Sequence, residues 1–356
     1  MIKDILKKFG IDGNEVVVQA FGSGLINHTW LVQREEKKYI LQKINKKVFN
    51  DPAVIDHNLR LLSEYLTQNY KGYLFTKPIY TNDHKGLVEP DENSSYRLFR
   101  FVDGSHSYTV VEQKELAYEA AKQFGKFTRL LAGIDITKLK ITLPDFHNLS
   151  LRYYQFEKAI SNASEQRLNN ASGYISTLVL NKSIVKEYEN ILKNPFFKKR
   201  VTHHDTKISN VLFNSKNKGL CVIDLDTVMP GYFISDIGDM MRTYLSPVGE
   251  EETDFGKVEV REEYFEAIVN GYLSEMQDEL SDVEKEYFIY AGKFMIYMQA
   301  LRFLTDYLNN DIYYSAKYDL HNLNRTINQL TLLDKLVEKE ERLKEIVANA
   351  LLVNNQ

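Results

Sequence analysis

Short runs of β-branched, aromatic and aliphatic residues dominate the first hundred positions, and polar or glycine-containing turns separate them. These runs predict strands over residues 15–21, 29–33, 39–44 and 96–102. Between the third and the fourth run, Leu59, Leu62 and Leu66 recur at helical spacing and predict a helix over residues 54–69. The pattern therefore predicts a small β-sheet that is accompanied by one helix.

Beyond this sheet the apolar positions follow helical spacing. Residues 116–131 form the first such segment, and Gly133 predicts its end. Further helical patterns cover residues 262–275, 283–308 and 322–350. The polar segment 161–173 predicts an exposed loop. The two halves together predict an α+β protein with a small β-rich lobe over residues 1–103 and a larger, mostly helical lobe over residues 104–356.

Charge and composition exclude several functional classes. The 45 Lys and Arg residues against 49 Asp and Glu residues give a net charge of −4, which argues against binding nucleic acid through a basic surface. No run of about 18 apolar residues is present, so no membrane span is expected. The amino-terminal segment lacks the apolar core of a signal peptide, and the single Cys221 excludes an intrachain disulfide. We therefore expect a cytoplasmic protein without nucleic-acid or membrane partners.

The segment from His203 to Asn210 carries the most informative motif of the chain. It reads H-x-D-x-x-x-x-N, and an apolar run that ends at Asp224 follows it. Protein kinases have the same residue types at this spacing in their catalytic loop. Phosphoryl transfer needs a carboxylate to accept the proton of the attacking hydroxyl, and an amide and a second carboxylate to hold magnesium. The pattern predicts Asp205 as the base and Asn210 and Asp224 as Mg²⁺ ligands.

The residues between Asn210 and Asp224 strengthen this interpretation. They predict a short strand over 210–214, a polar turn over 215–219 and a second strand over 220–223. Asp and Asn are also common in surface turns, so the D-x-x-x-x-N spacing alone would suit a turn equally well. A hairpin returns the two metal-ligand side chains to one point, and this favours a kinase-type site.

A glycine turn lies between the first two predicted strands. Gly22, Ser23 and Gly24 match the start of G-x-G-x-x-G, with Asn27 in place of the third glycine. Glycines let backbone N–H groups approach phosphate oxygens closely. A strand–glycine–strand turn is also ordinary hairpin chemistry, but ahead of a kinase-type motif it predicts a clamp for the phosphates of ATP.

Two further nucleotide contacts follow from the kinase pattern. The backbone of the connection that contains Arg100 and Val102 is expected to hold the adenine. The strand-3 position that kinases fill with lysine aligns with Gln42, while Lys43 is one residue further on. Because neighbouring residues of a strand point to opposite faces, either Gln42 or a shifted Lys43 contacts the phosphates, and both alternatives stay open.

Several segments resemble the aminoglycoside phosphotransferase and choline kinase-like superfamily, and within it most resemble the N-acetylhexosamine 1-kinases. The resemblance covers almost the whole chain and is carried by FGSGLINHTW, KYILQKIN, YRLFRFVDGSHSY, RVTHHDTK, IDLDTVMPG, DIGDMMR and LRFLTDYLNNDIYYSAKY. It implies a bilobal protein-kinase-like fold. It also implies ATP- and Mg²⁺-dependent phosphorylation of the anomeric hydroxyl of N-acetylglucosamine or N-acetylgalactosamine.

The resemblance assigns further residues to the sugar site. It implies that Asp226 either ligates a metal or orients the sugar, and that Arg302 and Tyr313 hold the sugar. Arg302 could equally pair with Asp306 one helical turn later, and Tyr313 could pack at the surface. Asp236 resembles the carboxylate that braces the backbone of the catalytic loop.

The chain also departs from its resembled relatives. His204 stands where Gly or Asn is expected, and Leu25 stands where the sugar kinases carry His. A kinase for an aminoglycoside, choline or homoserine is the competing hypothesis, since Asp306 and Asp311 are acidic, although Arg302 lies in the same segment. A non-catalytic regulatory protein of the same fold is a third hypothesis, and only Gln42 favours it.

Overall fold

The computed structural model describes residues 1–12, 15–22 and 26–353, so Ser23 and Gly24 of the predicted phosphate clamp lie outside the described part. The strands are β1 (Val17–Ala20), β2 (His28–Arg34), β3 (Lys37–Ile44), β4 (Pro78–Ile79), β5 (Val88–Asp91), β6 (Ser94–Arg100), β7 (Arg200–Thr202), β8 (Val211–Phe213), β9 (Gly219–Val222) and β10 (Met229–Gly231). The helices are α1 (Ile2–Lys8), α2 (Pro52–Asn69), α3 (Lys114–Leu130), α4 (Leu149–Asn162), α5 (Glu165–Leu180), α6 (Ser183–Lys193), α7 (Phe233–Tyr244), α8 (Glu262–Met276), α9 (Asp282–Lys285), α10 (Phe288–Leu308), α11 (His321–Glu338) and α12 (Glu340–Val353). None of these described helices is both long and apolar enough to span a membrane.

The chain divides into two compact units. The smaller unit contains residues 1–106, 130–144 and 212–230, and the larger unit contains residues 107–129, 145–211 and 231–356. The smaller unit therefore includes two segments from far beyond residue 103, where the sequence pattern places the division.

One side chain on α2, that of Asn58, binds both of the segments from beyond residue 103 to the smaller unit. The Nδ2 group of Asn58 donates to the carbonyl oxygens of Lys140 at 2.8 Å and of Val228 at 3.1 Å. Its Oδ1 accepts a hydrogen bond from the Lys140 N–H at 2.9 Å. Asn58 is only 1% exposed, and a buried amide requires such partners.

The sheet of the smaller unit is antiparallel, in the order β1-β2-β3-β6-β4, and β5 pairs with β6. Leu41 and Leu98 face each other across β3 and β6. They pack with α1, which the sequence pattern did not predict, in a core formed by Ile5, Leu6, Phe9, Ile11, Val32, Leu41, Tyr96 and Leu98. Because side chains alternate along a strand, the next register pair, Gln42 and Arg97, lies on the opposite face.

The predicted hairpin after Asn210 is confirmed. Strands β8 and β9 pair with each other, and Asn214 N–H donates to the Lys218 carbonyl at 3.0 Å inside the turn. Cys221 on β9 is fully buried, as its apolar neighbours predict. The hairpin places Asp224 two residues after the end of β9.

Helix α10 is the centre of the larger unit. It is apolar on nearly all sides, as is typical of a buried helix, and residues such as Phe294 and Leu301 have no exposed surface. It packs against α4, α7 and α11. The helix predicted over residues 322–350 proves to be two helices, α11 and α12, that are separated at Lys339.

The exposed loop predicted over residues 161–173 is wrong. Helix α5 begins at residue 165, where the Ser164 hydroxyl caps the Arg167 N–H at 3.4 Å. Ala171 and Leu178 provide its buried positions. This apolar stripe is narrow, so the polar composition of the segment concealed the helix.

Two glycines in helices provide a test of this packing. A Cβ atom at Gly238 on α7 would lie 2.3 Å from the Ala291 carbonyl oxygen on α10, whereas a Cβ atom at Gly173 on α5 would meet nothing within 4 Å. We expect Gly238→Ala to lower the free energy of unfolding by about 1–3 kcal/mol, because the two helix backbones must separate. The control Gly173→Ala should raise it by about 0.5–1 kcal/mol, because alanine favours the helix. Urea titrations measure both effects, and equal stabilities of the two variants would contradict the close approach.

Candidate active site

The catalytic loop connects β7 to β8 and brings the two predicted residues of the larger unit together. The Asn210 Nδ2 group donates to the Asp205 carbonyl oxygen at 2.8 Å and to the Asp205 Oδ2 atom at 2.9 Å. Asp205 is half-buried and Asn210 is buried. Both amide donors are thus directed at Asp205, and the amide oxygen is the atom that suits a hard cation such as Mg²⁺.

Two carboxylates on α7 hold the backbone of this loop. Asp236 accepts hydrogen bonds from the N–H groups of His203 at 3.0 Å and His204 at 2.8 Å. Asp239 accepts one from the Thr206 N–H at 2.8 Å. Burial raises the pKa of Asp236 to about 7, although the two N–H donors act to lower it. The pair braces the loop on both sides of Asp205.

His204 has a left-handed backbone, with φ of +65°. Glycine and asparagine adopt this conformation most readily, which gives a physical reason for the expectation of Gly or Asn at this position. The imidazole is buried, and its Nδ1 atom lies 3.2 Å from the Thr202 carbonyl oxygen. A Cβ atom at Gly231 would lie 2.4 Å from the His204 Nε2 atom, so the absence of a side chain at residue 231 makes room for the ring.

Lys207 is a functional candidate that the sequence analysis missed. Its Nζ atom lies 3.2 Å from the Asp205 Oδ1 atom. Burial acts to lower the pKa of Lys207, but the negative charges of Asp205 and Asp239 outweigh it and raise the pKa, so the ammonium stays charged. The signal in the sequence was its position two residues after the predicted base.

The smaller unit contains the predicted nucleotide residues. Gln42 faces Arg97 on the sheet face opposite α1, whereas Lys43 lies on the α1 side with its Nζ atom 5.7 Å from the centre of the Tyr96 ring. The strand register therefore places Gln42, and not Lys43, on the face that carries Arg97. Gly22 has a φ of +76°, which a glycine adopts without strain.

The connection after β6 borders a cavity. Arg100, Phe101 and Val102 line a space of about 710 Å³ together with residues of α2 and β4. The Val102 carbonyl oxygen accepts a hydrogen bond from the Ser105 hydroxyl at 2.6 Å, which holds the connection in a tight turn.

Asp224 and Asp226 follow β9 in the same unit. Asp224 has a left-handed backbone with φ of +58° and ψ of +61°, which is uncommon outside glycine and is typical of functional sites. Asp226 is 1% exposed, forms an ion pair with Arg97, and accepts a hydrogen bond from the Asn27 Nδ2 group at 2.8 Å. Its carboxylate is therefore held inside the protein.

Arg302 and Tyr313, the predicted sugar residues, lie near each other in the larger unit. The Arg302 guanidinium is 5.8 Å from the centre of the Tyr313 ring and 5.4 Å from that of Tyr314. The alternative pairing of Arg302 with Asp306 is wrong, because Asp306 accepts hydrogen bonds from the backbone N–H groups of Tyr313 and Tyr314 at 2.7 and 2.8 Å. Asp306 thus positions the segment that carries Tyr313, whose ring is 74% exposed.

A group of cationic and imidazole side chains extends from Arg302 to the catalytic loop. The His147 ring lies 5.3 Å from the His204 ring and is stacked on Phe146, over which Arg302 also lies. Burial, followed by the positive charges of His204 and the arginines, lowers the pKa of His147 well below its usual value, so the ring is uncharged at neutral pH. Its Nδ1 atom is buried and has no hydrogen-bond partner among the described residues.

Arg152 completes this group. Burial and then the charge of Arg302 lower the pKa of Arg152. Within the described part of the chain, no carboxylate lies within ion-pair distance of Arg152 or Arg302. Neither His147 nor Arg152 stands in a recognisable motif, so no pattern in the sequence pointed to them.

Comparison with known proteins places these features in context. The sequence matches a family model described as "Phosphotransferase enzyme family" over residues 17–280. A solved aminoglycoside phosphotransferase from Alicyclobacillus acidocaldarius has a TM-score of 0.65 and 13% identity, and the match covers 97% of this chain and 96% of that chain. An amicoumacin kinase in complex with AMP-PNP, Ca²⁺ and Ami has a TM-score of 0.61 and 14% identity, with 93% of each chain covered.

A choline kinase from Cryptosporidium parvum Iowa II is also similar, with a TM-score of 0.57 and 15% identity over 93% of this chain and 92% of that chain. At these identities the likeness shows the fold alone. The predicted α+β, protein-kinase-like fold, with a small sheet and a larger helical portion, is confirmed.

The brace of the catalytic loop can be tested by replacing one of its oxygens. Asp236→Asn presents an NH₂ group to a backbone N–H, so one buried donor loses its acceptor. We expect the free energy of unfolding to fall by about 1–3 kcal/mol, as measured by urea titration at pH 7. The matched control is Asp254→Asn at the surface, which should change it by less than about 0.5 kcal/mol. A stability of Asp236→Asn equal to that of the control would show that the brace contributes nothing.

Proposed function

The chain belongs to the phosphotransferase enzyme family, and from that premise we propose that it uses ATP and Mg²⁺ to phosphorylate the anomeric hydroxyl of an N-acetylhexosamine. The observation that carries the choice of acceptor is the group of His147, Arg152 and Arg302, in which two guanidinium groups have no carboxylate partner among the described residues. The aminoglycoside, amicoumacin and choline kinases with a similar fold support phosphoryl transfer to a small hydroxyl compound.

The charge of this group disfavours a cationic acceptor. An ammonium acceptor such as choline or an aminoglycoside would be repelled by Arg152 and Arg302. In addition, Arg302 already lies over the faces of Phe146, Tyr313 and Tyr314, which a quaternary ammonium would need. Arg302 donates to the Gln299 Oε1 atom, and Arg152 donates to Gln155 and to the carbonyl oxygens of Asp145 and Phe146. The remaining guanidinium N–H groups are donors only, and an acetamido carbonyl and ring hydroxyls of a sugar are suitable acceptors. His147 is uncharged and therefore adds no further positive charge to this group.

The nucleotide and the metal are assigned to the remaining predicted residues. Gly22 with the neighbouring Ser23 and Gly24 would cover the phosphates, and the backbone from Arg100 to Val102 would hold the adenine. The amicoumacin kinase complex, which contains AMP-PNP and Ca²⁺, supports a nucleotide triphosphate and a divalent cation in this fold.

The reaction that we propose is direct in-line transfer of the γ-phosphoryl group of ATP to the C1 oxygen, in which the bond to the β,γ-bridging oxygen breaks and ADP leaves. Asp205 accepts the proton of the attacking C1 hydroxyl, and a hemiacetal hydroxyl is acidic enough for a carboxylate base. Lys207, 3.2 Å from the Asp205 Oδ1 atom, adds positive charge beside the base. Mg²⁺, which Asn210 and Asp224 would hold, neutralises the charge of the phosphoryl oxygens when it is bound.

An acceptor panel tests this function. The purified protein is incubated with Mg-ATP and N-acetylglucosamine, N-acetylgalactosamine, glucose, galactose, choline, homoserine or kanamycin, while ADP release is followed and the product is identified by phosphorus NMR. We expect fastest turnover with an N-acetylhexosamine and an anomeric phosphate as product. Asp205→Asn should lower kcat by about 10²- to 10⁴-fold, because the base is lost.

The other outcomes of the panel decide between the alternatives. Turnover with choline, homoserine or kanamycin alone would show that the acceptor is an alcohol with an ammonium group and not an N-acetylhexosamine. The proposal of phosphotransferase chemistry would be unaffected. Binding of Mg-ATP without turnover on any acceptor would support a non-catalytic protein of this family.

Arg302 provides a separate test of the acceptor site. Arg302→Gln removes a charge and the donors that face the sugar, so we expect the KM for the sugar to rise by about 10- to 100-fold, with the KM for ATP unchanged. Arg342→Gln on the exposed side of α12 is the matched control and should change neither constant. A sugar KM that does not change in Arg302→Gln would remove this residue from the acceptor site.

A further inference from the structure

A buried hydrogen-bond network lies on the sheet face that carries Gln42. The Gln42 Oε1 atom accepts two hydrogen bonds from Arg97, from Nε at 3.1 Å and from Nη2 at 2.9 Å. Arginine has donors only, so the orientation of the Gln42 amide is settled: its oxygen faces Arg97 and its NH₂ group faces away. That NH₂ group lies 3.3 Å from the Thr29 hydroxyl on β2.

The third nitrogen of Arg97 is directed at Asp226. The Nη1 atom forms an ion pair with the Asp226 Oδ1 atom, and the two side chains are 3% and 2% exposed. The other carboxylate oxygen accepts a hydrogen bond from the Asn27 Nδ2 group at 2.8 Å. The Asn27 Oδ1 atom in turn accepts one from the Asn45 N–H at 3.0 Å. One guanidinium thus connects β3 to Asp226, and Asp226 connects to the residue that replaces the third glycine of the predicted phosphate clamp.

The charges around Arg97 agree with this arrangement. Asp56 on α2 is close enough for the charge of Arg97 to act on its pKa, which burial raises overall. Lys43, the alternative cation of β3, is on the other side of the sheet. Arg97 lies on β6, directly beside Gln42 on β3. It is therefore the buried cation next to the position that kinases fill with lysine.

We propose that Arg97 takes the part of the lysine that kinase-type sites carry on strand 3, as a positioning residue for the nucleotide phosphates. It holds the Gln42 amide so that one N–H of the NH₂ group donates to the Thr29 hydroxyl and the other can donate to a phosphate. It also anchors Asp226 and thereby the preceding segment that carries Asp224. Asn27 is bound to the same anchor through its Nδ2 group. The role of an anchor is distinct from the metal or sugar contact that the resemblance implies for Asp226.

The geometry explains why this residue is an arginine. Its planar fork directs two N–H groups at the Gln42 Oε1 atom and at the same time places the charged Nη1 group beside the Asp226 carboxylate. The ammonium of a lysine is a point charge on a flexible stem and cannot keep both acceptors in fixed positions. Arg97→Lys is therefore not a conservative change here, and it should weaken Mg-ATP binding.

The inference rests on the proposed function, because it requires the protein to bind ATP. Binding of Mg-ATP is measured by titration calorimetry without any acceptor, for the wild type, Arg97→Lys and Arg97→Met. We expect about 10- to 100-fold weaker binding in Arg97→Met and an intermediate loss in Arg97→Lys. In steady-state assays the KM for ATP should rise, while the KM for the acceptor stays within about twofold of the wild type.

Arg200→Met is the matched control. Arg200 is also a buried arginine, with two hydrogen bonds to Glu284 at 2.6 and 2.8 Å, but it belongs to the larger unit. The Arg200→Met variant should have a lower midpoint of thermal unfolding, as Arg97→Met should, but an unchanged affinity for Mg-ATP. A general loss of stability would weaken binding in both variants and would overturn the proposal. If Arg97→Met does not fold, Arg97→Lys, which retains the charge beside Asp226, carries the same comparison.

The outcomes separate the two proposals. A wild-type protein that does not bind Mg-ATP would overturn the proposed function and this inference together. Binding by the wild type and equally tight binding by the Arg97 variants would overturn the inference alone. Weaker binding in the Arg97 variants, with no transfer to an N-acetylhexosamine, would support the inference and reject only the sugar assignment.

Discussion

Buried carboxylates must be supplied with hydrogen-bond donors, and each compact unit is organised around one of them. In the larger unit Asp236 accepts backbone N–H groups of the catalytic loop, and in the smaller unit Asp226 forms an ion pair with Arg97 and accepts a hydrogen bond from Asn27. A buried charge that loses its partner costs about 3–5 kcal/mol. The surrounding backbone therefore takes the geometry that provides the donors, and this geometry positions the residues proposed for chemistry.

Backbone strain is present at the same places. His204 and Asp224 both have left-handed backbones without being glycine, at a cost of about 1–2 kcal/mol each. The hydrogen bonds of Asp236 hold His204 in this conformation, and the ion pair of Asp226 holds the segment next to Asp224. The strained residues lie at the motif positions, and their backbone conformation sets the orientation of Asp205 and Asp224. The strain does not stabilise the fold.

Electrostatics distinguishes this acceptor region from one that suits a cation. Burial, followed by the charges of neighbouring groups that include Arg302 and Arg152, keeps His147 neutral by lowering its pKa, so the group offers donors and one neutral imidazole. Lys207 adds a further cation at the base. A neutral acceptor that is rich in oxygen atoms fits this environment better than an alcohol with an ammonium group, and the fold by itself does not make that distinction.

The sequence by itself determined strands β1, β2, β3 and β6 of the small sheet and the hairpin after Asn210, because these depend on periodicity and on short spacings that neighbouring residues specify. Only the tertiary structure decided that α5 is a helix, that Gln42 and not Lys43 faces Arg97, and that Asp226 is enclosed. These outcomes depend on contacts between polar groups that are far apart along the chain. Burial selects such partners in three dimensions, and no local pattern records them.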